Sequence, residues 1–370
     1  MSFDLTKVIR PEVQALQAYH VEIPPGAPPR VTLDANESPF ALGDAVREEL
    51  AAELAKALAD VELHRYPDPE ARELRRLLAQ DLGVAPEQIL ASNGSDEAIQ
   101  MLLMAVAGPD VAIGAPVPTF VMYEIGSRVL GLRFVGVPLD DRFDLDGEAF
   151  CRVLRAEKPR LIFLAWPNNP TGGLYGSPVV EEILRTCTGR GCDALVVVDE
   201  AYTHYAGQTF LPKLSQYPNL VILRTLSKIG LAGIRLGMLI ASRAVVEAIN
   251  KVRMPYNVNA LSQAAARVVL RHPDVVRRHA STIIQERERV LGKLQHLSGI
   301  TVFPSRANFF LIRTERPGDE VFQGLFERGI LVRNFSRAPH LTNCLRVTVG
   351  TPEENDAFLS ALGAVLGHGG

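Results

Sequence analysis

Six short apolar runs recur between residues 110 and 242, and longer stretches of helical character separate them. The runs are DVAIGAP (110–116), LRFVGVPL (132–139), RLIFLAWP (160–167), ALVVVDEAY (194–202), LVILRTLSK (220–228) and LGMLIAS (236–242). Continuous apolar strands that alternate with helices are typical of a mostly parallel sheet covered by helices on both faces. The sequence therefore predicts an α/β protein whose large domain contains such a sheet.

The pattern changes after Lys251. A charge-rich helical stretch at 259–297 precedes short candidate strands in ANFFLIRT, GILVRNF and CLRVTVGT, which predicts a second, smaller α+β domain. The segment PPGAPP (24–29) near the start predicts an extended arm, because proline fixes φ and donates no backbone hydrogen bond. The predicted division is an arm at 1–30, a large domain at 46–250, and a small domain formed by 31–45 and 251–370.

Composition excludes several classes of protein. The formal net charge of −3 over 370 residues gives no indication of a nucleic-acid or anionic-membrane partner. The N-terminal segment MSFDLTKVIRPEVQ lacks the apolar core of a signal peptide, and no apolar run approaches the length of a membrane span. These features predict a cytoplasmic protein.

The cysteines and histidines give no metal-binding pattern. Four scattered cysteines fit a reducing compartment better than a disulfide scaffold: Cys151, Cys187, Cys192 and Cys344. Cys187 and Cys192 are close in sequence, but no nearby histidine or second cysteine pair completes a zinc site. We expect no protein-bound metal.

Polar side chains follow three successive candidate strands at the point where each strand ends. Asn169 follows RLIFLAWP, Asp199 and Tyr202 follow ALVVV, and Ser227 and Lys228 follow LVILRTL. Ligands of open parallel sheets bind outside the carboxyl ends of the strands. These side chains are therefore predicted to meet at one site.

Lys228 lies in TLSKIGLAGIRLG (225–237), between a serine and a glycine-punctuated apolar run. A lone lysine at a strand end is ordinarily a surface residue. Here the flanking serine, the glycines and Arg235 favour a desolvated amine near another cation, whose lowered pKa makes it a nucleophile suited to Schiff-base chemistry.

Asp199 and Asn169 each allow two interpretations. Asp199 could cap the following helix, but a carboxylate after an unbroken apolar strand is costly unless a cation meets it, and the pyridinium nitrogen of pyridoxal phosphate is such a cation. Asn169 lies in NNPTG, where Asn-Pro and Thr-Gly favour a turn. From that motif alone, a turn and a ligand-binding role are equally well supported.

Two further motifs remain open at this point. In LASNGSDEAIQMLL (90–103), Ser95 or Asp96 could cap the helix, or the free backbone N–H groups of its first turn could bind a phosphate. In PTFVMYE (118–124), Phe120 could be a core residue or could stack on a ligand ring.

GRGCDA (189–194) matches G-x-G-x-x-A but precedes a strand, and no Walker A motif is present, which disfavours NAD and ATP enzymes.

Taken together, these motifs resemble those of the fold-type-I pyridoxal-phosphate aminotransferases, and within them the histidinol-phosphate aminotransferases. The resemblance extends over nearly the whole chain: LDANESP, RYPDP, SNGSDEAI, PTFVMYE, PNNPTG, VVDEAY, RTLSKIGLAGIRLG, ANFFLIR, GILVRNF and LRVTVGT. The ordered set PNNPTG, DEAY and SK…R is highly specific, although each motif alone is weak.

The resemblance implies pyridoxal 5′-phosphate as cofactor and assigns a role to each matching residue. Lys228 resembles the lysine that attaches the cofactor and shuttles the proton, and Asp199 the carboxylate that keeps the pyridine nitrogen protonated. The implied cofactor contacts are Asn169 and Tyr202 at the phenolic oxygen, Phe120 stacked on the ring, and Ser95, Asp96, Ser227, Arg235 and the neighbouring subunit's Tyr66 at the phosphate.

On the substrate side, the resemblance implies that Arg346 and Arg333 bind anionic groups and that Tyr19 and Asn36 line the pocket. It implies a homodimer with shared active sites. The implied reaction is transamination of L-histidinol phosphate with 2-oxoglutarate in histidine biosynthesis. An aromatic-amino-acid aminotransferase, a threonine-phosphate decarboxylase-like lyase and a non-catalytic regulator that binds pyridoxal phosphate are the alternatives.

The chain departs from the family pattern at three positions. The seven-residue spacing from Lys228 to Arg235 is one residue shorter than in many relatives, so a shorter loop must deliver the guanidinium. Phe120 stands where tyrosine is frequent, so a hydroxyl contact is lost while stacking is kept. The segment NESP at 36–39 replaces the commoner N-E-N-P, a change of small consequence.

Overall fold

The computed structural model describes residues 3–16, 23–41, 47–189 and 192–367. The strands are β1 Val31–Leu33, β2 Ile89–Asn93, β3 Ala112–Val117, β4 Arg133–Pro138, β5 Leu161–Ala165, β6 Leu195–Asp199, β7 Leu220–Thr225, β8 Leu236–Ala241, β9 Ile300–Val302, β10 Phe309–Thr314, β11 Ile330–Asn334 and β12 Cys344–Thr348. The α-helices are α1 Pro11–Gln14, α2 Arg47–Ala59, α3 Arg72–Leu82, α4 Gly94–Val106, α5 Met122–Val129, α6 Gly147–Glu157, α7 Ser177–Thr186, α8 Thr203–Ala206, α9 Arg243–Asn250, α10 Ala260–Val269, α11 Pro273–Leu294, α12 Gly318–Glu327 and α13 Pro352–Leu366.

The larger sheet has seven strands in the order β2-β8-β7-β6-β5-β3-β4. The pairs β4–β3, β3–β5, β5–β6 and β6–β7 are parallel, and β8 runs antiparallel to both β7 and β2. Strand β5 is buried along its whole length, as its continuous apolar run predicts for a sheet covered on both faces. The predicted fold class and all six predicted strands are confirmed.

Strand β2 was not predicted. Its sequence, ILASN, is short and ends in polar residues, and the glycine that follows suggested only a turn before a helix. The strand forms because β8 pairs with it over five residues at the edge of the sheet. This pairing holds the start of α4 against β8.

The smaller sheet has five strands in the order β1-β11-β12-β10-β9. Strand β1 comes from the N-terminal part of the chain and pairs in parallel with β11, while the remaining pairs are antiparallel. This pairing places residues 31–33 in the sheet of the predicted small domain, and the domain limits stay a prediction. The apolar core of this sheet includes Tyr202 and Tyr205, so the short helix α8 joins the two sheets.

The predicted domain limit at residue 251 precedes helices α10 and α11, which together contribute to the cores of both sheets. Ala266, Val269 and Val276 belong to a core cluster of the larger sheet, whereas Ile283 and Val290, further along α11, belong to that of the smaller one. The helical period alone does not tell which core an apolar face covers. Among the described residues, no helix is long and apolar enough to cross a membrane.

Candidate active site

A cavity of about 200 Å³ lies where the carboxyl ends of the large-sheet strands face the small sheet. Twelve of the predicted site residues line it: Asn36, Ser95, Asp96, Phe120, Asn169, Asp199, Tyr202, Ser227, Lys228, Arg235, Arg333 and Arg346. The cavity therefore lies where the rule for parallel sheets predicts a ligand site.

Lys228 lies in a single 3₁₀ turn, Ser227–Ile229, directly after β7. The Nζ of Lys228 is 3.3 Å from the carbonyl oxygen of Ala35, and the hydroxyl of Tyr205 donates to the backbone carbonyl oxygen of Lys228. Burial, followed by repulsion from Arg346 and Arg235, lowers the pKa of Lys228 to about 8. A fraction of this amine is therefore uncharged and nucleophilic near neutral pH, which the sequence predicted.

Asp199 ends β6 and is buried. Burial raises the pKa of its carboxyl to about 6, while hydrogen bonds to the carboxylate act in the opposite direction. The hydroxyl of Tyr123 donates to Oδ2 at 2.7 Å, and the backbone N–H of Ala201 donates to Oδ1 at 3.1 Å. The carboxylate is thus oriented by two donors, and it is not a helix cap for α8, whose N-cap is Tyr202.

The hydroxyl of Tyr202 lies between two side-chain amides. It accepts from Nδ2 of Asn36 at 3.0 Å and from Nδ2 of Asn169 at 3.3 Å. Asn36 has a left-handed backbone, with φ of 55°, and is held there by Thr348, whose hydroxyl accepts from the Asn36 N–H at 2.9 Å. With two donors aimed at its oxygen, Tyr202 is free to donate its own proton to a ligand.

Asn169 is both a turn residue and a cavity residue. Its neighbour Asn168 closes the turn through backbone bonds with Gly172 and Gly173, which leaves the Asn169 side chain to face the cavity. There Oδ1 of Asn169 accepts from Arg346 at 2.6 Å. Both interpretations of NNPTG are therefore compatible in this fold.

A cup forms where α4, the turn after β7, and β8 meet. Helix α4 begins at Gly94 with Asn93 as N-cap, so the expectation that Ser95 or Asp96 caps the helix is wrong, and both lie in its first turn. Arg235 donates from Nη1 to the Ser227 hydroxyl at 3.3 Å and from Nη2 to the Asp96 carboxylate at 3.2 Å. The shorter loop therefore still delivers the guanidinium to the free N–H groups of a helix start.

Gly237 allows β8 to pass directly beneath this helix start. A Cβ atom at Gly237 would lie 2.4 Å from the carbonyl carbon of Gly94 and 2.6 Å from the backbone nitrogen of Ser95. No side chain fits between β8 and that peptide. Gly237, the second glycine of LAGIRLG (231–237), is therefore required by the close approach of β8 to the start of α4, and not by a turn.

We expect Gly237→Ala to displace the start of α4, to lower the free energy of unfolding by about 1–3 kcal/mol, and to weaken phosphate binding. Gly233→Ala is the matched control, since a Cβ there meets nothing within 4 Å. Thermal unfolding and equilibrium binding of pyridoxal 5′-phosphate measure the two effects. Equal behaviour of the two variants would show that the close approach is unimportant.

Two arginines face each other on the small-domain side of the cavity. Arg333 on β11 and Arg346 on β12 are cross-strand partners, and both line the cavity. Arg346 is buried between the rings of Phe309 and Phe335, with its Cζ 5.3 and 5.5 Å from their centroids. Like charges directly opposite one another destabilise a sheet, so a bound anion would stabilise this arrangement.

Phe120 is half-buried, lines the cavity and meets the ring of Tyr123 edge-on at 5.6 Å between centroids.

Tyr66, by contrast, lies outside the cavity lining. It is 80% exposed and stacks on Tyr256 with ring centroids 4.5 Å apart. Tyr19 lies outside the described residues.

The sequence reasoning missed seven cavity residues: Asp34, Ala35, Tyr123, Ala165, Pro167, Ala201 and Thr225. Thr225 is buried and its hydroxyl donates to that of Ser227 at 2.9 Å, which orients the Ser227 side chain. Tyr123 was quoted within PTFVMYE without a role, although an aromatic hydroxyl beside a candidate ring-stacking residue was an available signal. Among the described residues, no cluster of histidine, cysteine or acidic side chains could hold a metal ion.

Comparison with known proteins decides the family. The sequence matches the aminotransferase class I and II family over residues 28–362. This chain belongs to that family. The resemblance inferred from the motifs is thereby confirmed.

This aminotransferase has similar relatives that are named histidinol-phosphate aminotransferases. One from Nitrosococcus oceani is 45% identical over 359 residues, which cover 96% of each chain. One from Aquifex aeolicus is 43% identical over 96% of this chain and 97% of its own. The crystal structure of the Sinorhizobium meliloti histidinol-phosphate aminotransferase in complex with pyridoxal-5′-phosphate superposes with a TM-score of 0.82 at 25% identity, over 97% of this chain and 98% of that one.

Proposed function

We propose that this aminotransferase converts L-histidinol phosphate and 2-oxoglutarate to imidazole-acetol phosphate and L-glutamate, a step of histidine biosynthesis. The observation that carries the proposal is the 45% identity, over 96% of both chains, to a histidinol-phosphate aminotransferase. The paired arginines of the cavity support it, because both substrates carry anionic groups that a guanidinium fork binds.

The cofactor is pyridoxal 5′-phosphate, and the cavity fits it at each of its functional groups. The cup of Ser227, Arg235 and the α4 start suits a phosphate, and Asp199 suits a protonated ring nitrogen at the other end. Lys228 supplies the amine for covalent attachment. When bound, the cofactor supplies an aldehyde that captures amines and a ring that withdraws electrons from the substrate Cα.

The protein contributes proton transfer, orientation and charge. Nζ of Lys228, with a pKa lowered to about 8, is suited to accept the Cα proton of the substrate and to return it. The Asp199 carboxylate, fixed by two donors, would hold a proton on the ring nitrogen of the bound cofactor. Tyr202 would donate to the phenolic oxygen of the bound cofactor, since Asn36 and Asn169 already occupy the acceptor positions of its hydroxyl.

Arg333 and Arg346 orient the substrate from the small-domain side. Histidinol phosphate presents a phosphate ester and no α-carboxylate, whereas glutamate presents two carboxylates. A pair of guanidinium groups on neighbouring strands binds either set of oxygens without rearranging its backbone. One pocket can therefore serve both half-reactions.

The same family relationship supports a homodimer with shared active sites. Large apolar side chains are exposed on the segments around Tyr66 and Tyr256: Leu63 at 73%, Tyr66 at 80% and Met254 at 70%. Arg253 ties these two segments together by donating to the carbonyl oxygen of Pro69 at 2.8 Å and to the Glu70 carboxylate at 3.1 Å. Such a rigid, apolar patch suits a second copy of the chain, into whose phosphate cup Tyr66 would reach.

A cytoplasmic location is supported by the cysteines. All four are free thiols and all four are buried in the described structure. Buried, unpaired thiols are typical of proteins kept in a reducing compartment.

A half-reaction panel tests the proposed substrate, with the visible absorbance of the cofactor as readout. Histidinol phosphate, glutamate, phenylalanine and tyrosine are compared as amino donors. We expect kcat/KM for histidinol phosphate to exceed that for phenylalanine by at least about 30-fold, because phenylalanine leaves part of a buried cationic site without its anion. A preference for phenylalanine would indicate an aromatic-amino-acid aminotransferase, and release of carbon dioxide without 2-oxoglutarate would indicate a lyase.

A further inference from the structure

Tyr123 is a buried polar residue that the motifs left without a role. It lies on α5, has no exposed surface, and its ring stacks on that of Phe163 with centroids 4.4 Å apart and an interplanar angle of 4°. Its hydroxyl donates to Oδ2 of Asp199 at 2.7 Å. A tyrosine fixed in this way presents its proton to one oxygen of the Asp199 carboxylate.

Asp199 is the carboxylate on which the proposed cofactor chemistry depends, and its surroundings oppose its ionisation. Burial raises its pKa most, and the carboxylates of Asp96 and Glu200 raise it further. The opposing contributions are the hydrogen bonds from Tyr123 and from the backbone of Ala201. The Tyr123 hydroxyl is therefore the side-chain donor that favours the charged form.

The same tyrosine contacts the ring predicted to cover the cofactor. Phe120 meets Tyr123 edge-on, with an interplanar angle of 85° and centroids 5.6 Å apart. Because Tyr123 is itself clamped by the stacked ring of Phe163, it fixes both the carboxylate at the edge of the cavity and the aromatic ring on its face.

We propose that Tyr123 is a positioning residue that holds Asp199 ionised and oriented toward the ring nitrogen of the cofactor, and that aligns Phe120 on the cofactor ring. The inference rests on the proposed function only for the identity of the cofactor. It does not depend on which amino donor the enzyme uses. Tyr123 acts through Asp199 and Phe120, and no proton of the reaction passes through it.

Tyr123→Phe isolates the hydroxyl, because it removes one oxygen and keeps both ring contacts. We expect the dissociation constant of pyridoxal 5′-phosphate to rise about 10- to 100-fold, the range for a hydrogen bond to a charged group. Tyr175→Phe is the matched control, since Tyr175 is a buried tyrosine whose hydroxyl has no hydrogen-bond partner within the described structure. The control is expected to bind the cofactor as the wild type does.

The pH dependence of cofactor binding separates this role from a merely structural one. The Asp199 carboxyl titrates with a pKa of about 6, so cofactor affinity is lost as the pH falls through that value and the carboxylate is protonated. Loss of a donor to the carboxylate raises this pKa, so the midpoint moves to higher pH in Tyr123→Phe. Incorporation of 3,5-difluorotyrosine at position 123 strengthens the donor and moves the midpoint to lower pH.

A double-mutant cycle completes the test. In an Asp199→Asn background, Tyr123→Phe should have little further effect on cofactor affinity, because the charge that the hydroxyl stabilises is gone. Unchanged midpoints in both position-123 variants, or an undiminished effect of Tyr123→Phe in Asp199→Asn, would overturn the proposal. These titrations contain no amino substrate, so an unexpected donor preference would refute the proposed reaction and leave this inference intact.

Discussion

Replacing Lys228 with alanine is expected to abolish transamination. The variant loses the amine that attaches the cofactor and the base that moves the Cα proton, so kcat should fall by at least about 10⁴-fold, the upper end for general acid–base catalysis. Borohydride reduction followed by peptide mapping should label Lys228 in the wild type and no lysine in Lys228→Ala. Lys251→Ala, at an exposed lysine after α9, is the control and should keep both label and activity.

The same variant tests the shared active site. If Tyr66 serves the neighbouring subunit, a dimer of one Lys228→Ala chain and one Tyr66→Ala chain contains one intact site, made of the lysine of one protomer and the tyrosine of the other. Mixing the two weak variants should therefore restore activity at limiting cofactor. If borohydride reduction labelled another lysine in Lys228→Ala, the assignment of Lys228 as attachment site and base would be refuted. If the mixture of the two variants did not regain activity, the shared active site would be refuted.

The sequence was sufficient for six of the seven strands of the larger sheet, and three of the six apolar runs lead to side chains with a chemical use. Asp199, Ser227 and Lys228 follow strands that are buried on both faces, where packing gives no reason for a charged or polar side chain. Parallel pairing then brings successive strand ends to one edge. Periodicity and the strand-end rule together locate this part of the site.

Features that depend on contacts distant in sequence were not predictable in the same way. Strand β2 exists because β8 pairs with it, and α10 covers the larger sheet although it follows the predicted domain limit. Tyr123 lies 76 residues before Asp199, and nothing in either segment alone specifies their hydrogen bond. The left-handed backbone of Asn36 likewise depends on Thr348, 312 residues away.

The role proposed for Arg333 and Arg346 depends both on residue type and on the register between β11 and β12. GILVRNF and LRVTVGT each contain an arginine in a strand, which the sequence alone could explain as a solvent-exposed position. The register places Arg333 directly opposite Arg346, and the proposed anion site depends on that register because it brings two separate charges together. The proposed site is thus a property of the pairing between β11 and β12.

Arg346→Ala is expected to lower kcat/KM for histidinol phosphate and for 2-oxoglutarate alike. The guanidinium is buried and donates to Asn169 and to the carbonyl oxygen of Asp34, so its removal costs the anion contact and leaves buried acceptors unsatisfied. Loss of one partner of a buried charge pair costs about 2–5 kcal/mol, which corresponds to a decrease of about 30- to 5,000-fold. Arg346→Lys should recover part of the loss, since it restores the charge without the planar fork.

Arg313→Ala separates this effect from damage to the small sheet. Arg313 lies on β10, next to β12, and packs its guanidinium on the rings of Phe143 and Phe303 at 5.5 and 5.3 Å, much as Arg346 packs on Phe309 and Phe335. It lies outside the cavity lining, so its removal should lower stability without selective loss of anion binding. If Arg346→Ala left kcat/KM unchanged for both substrates, or if Arg313→Ala lowered it equally, the anion site would have to lie elsewhere than between β11 and β12.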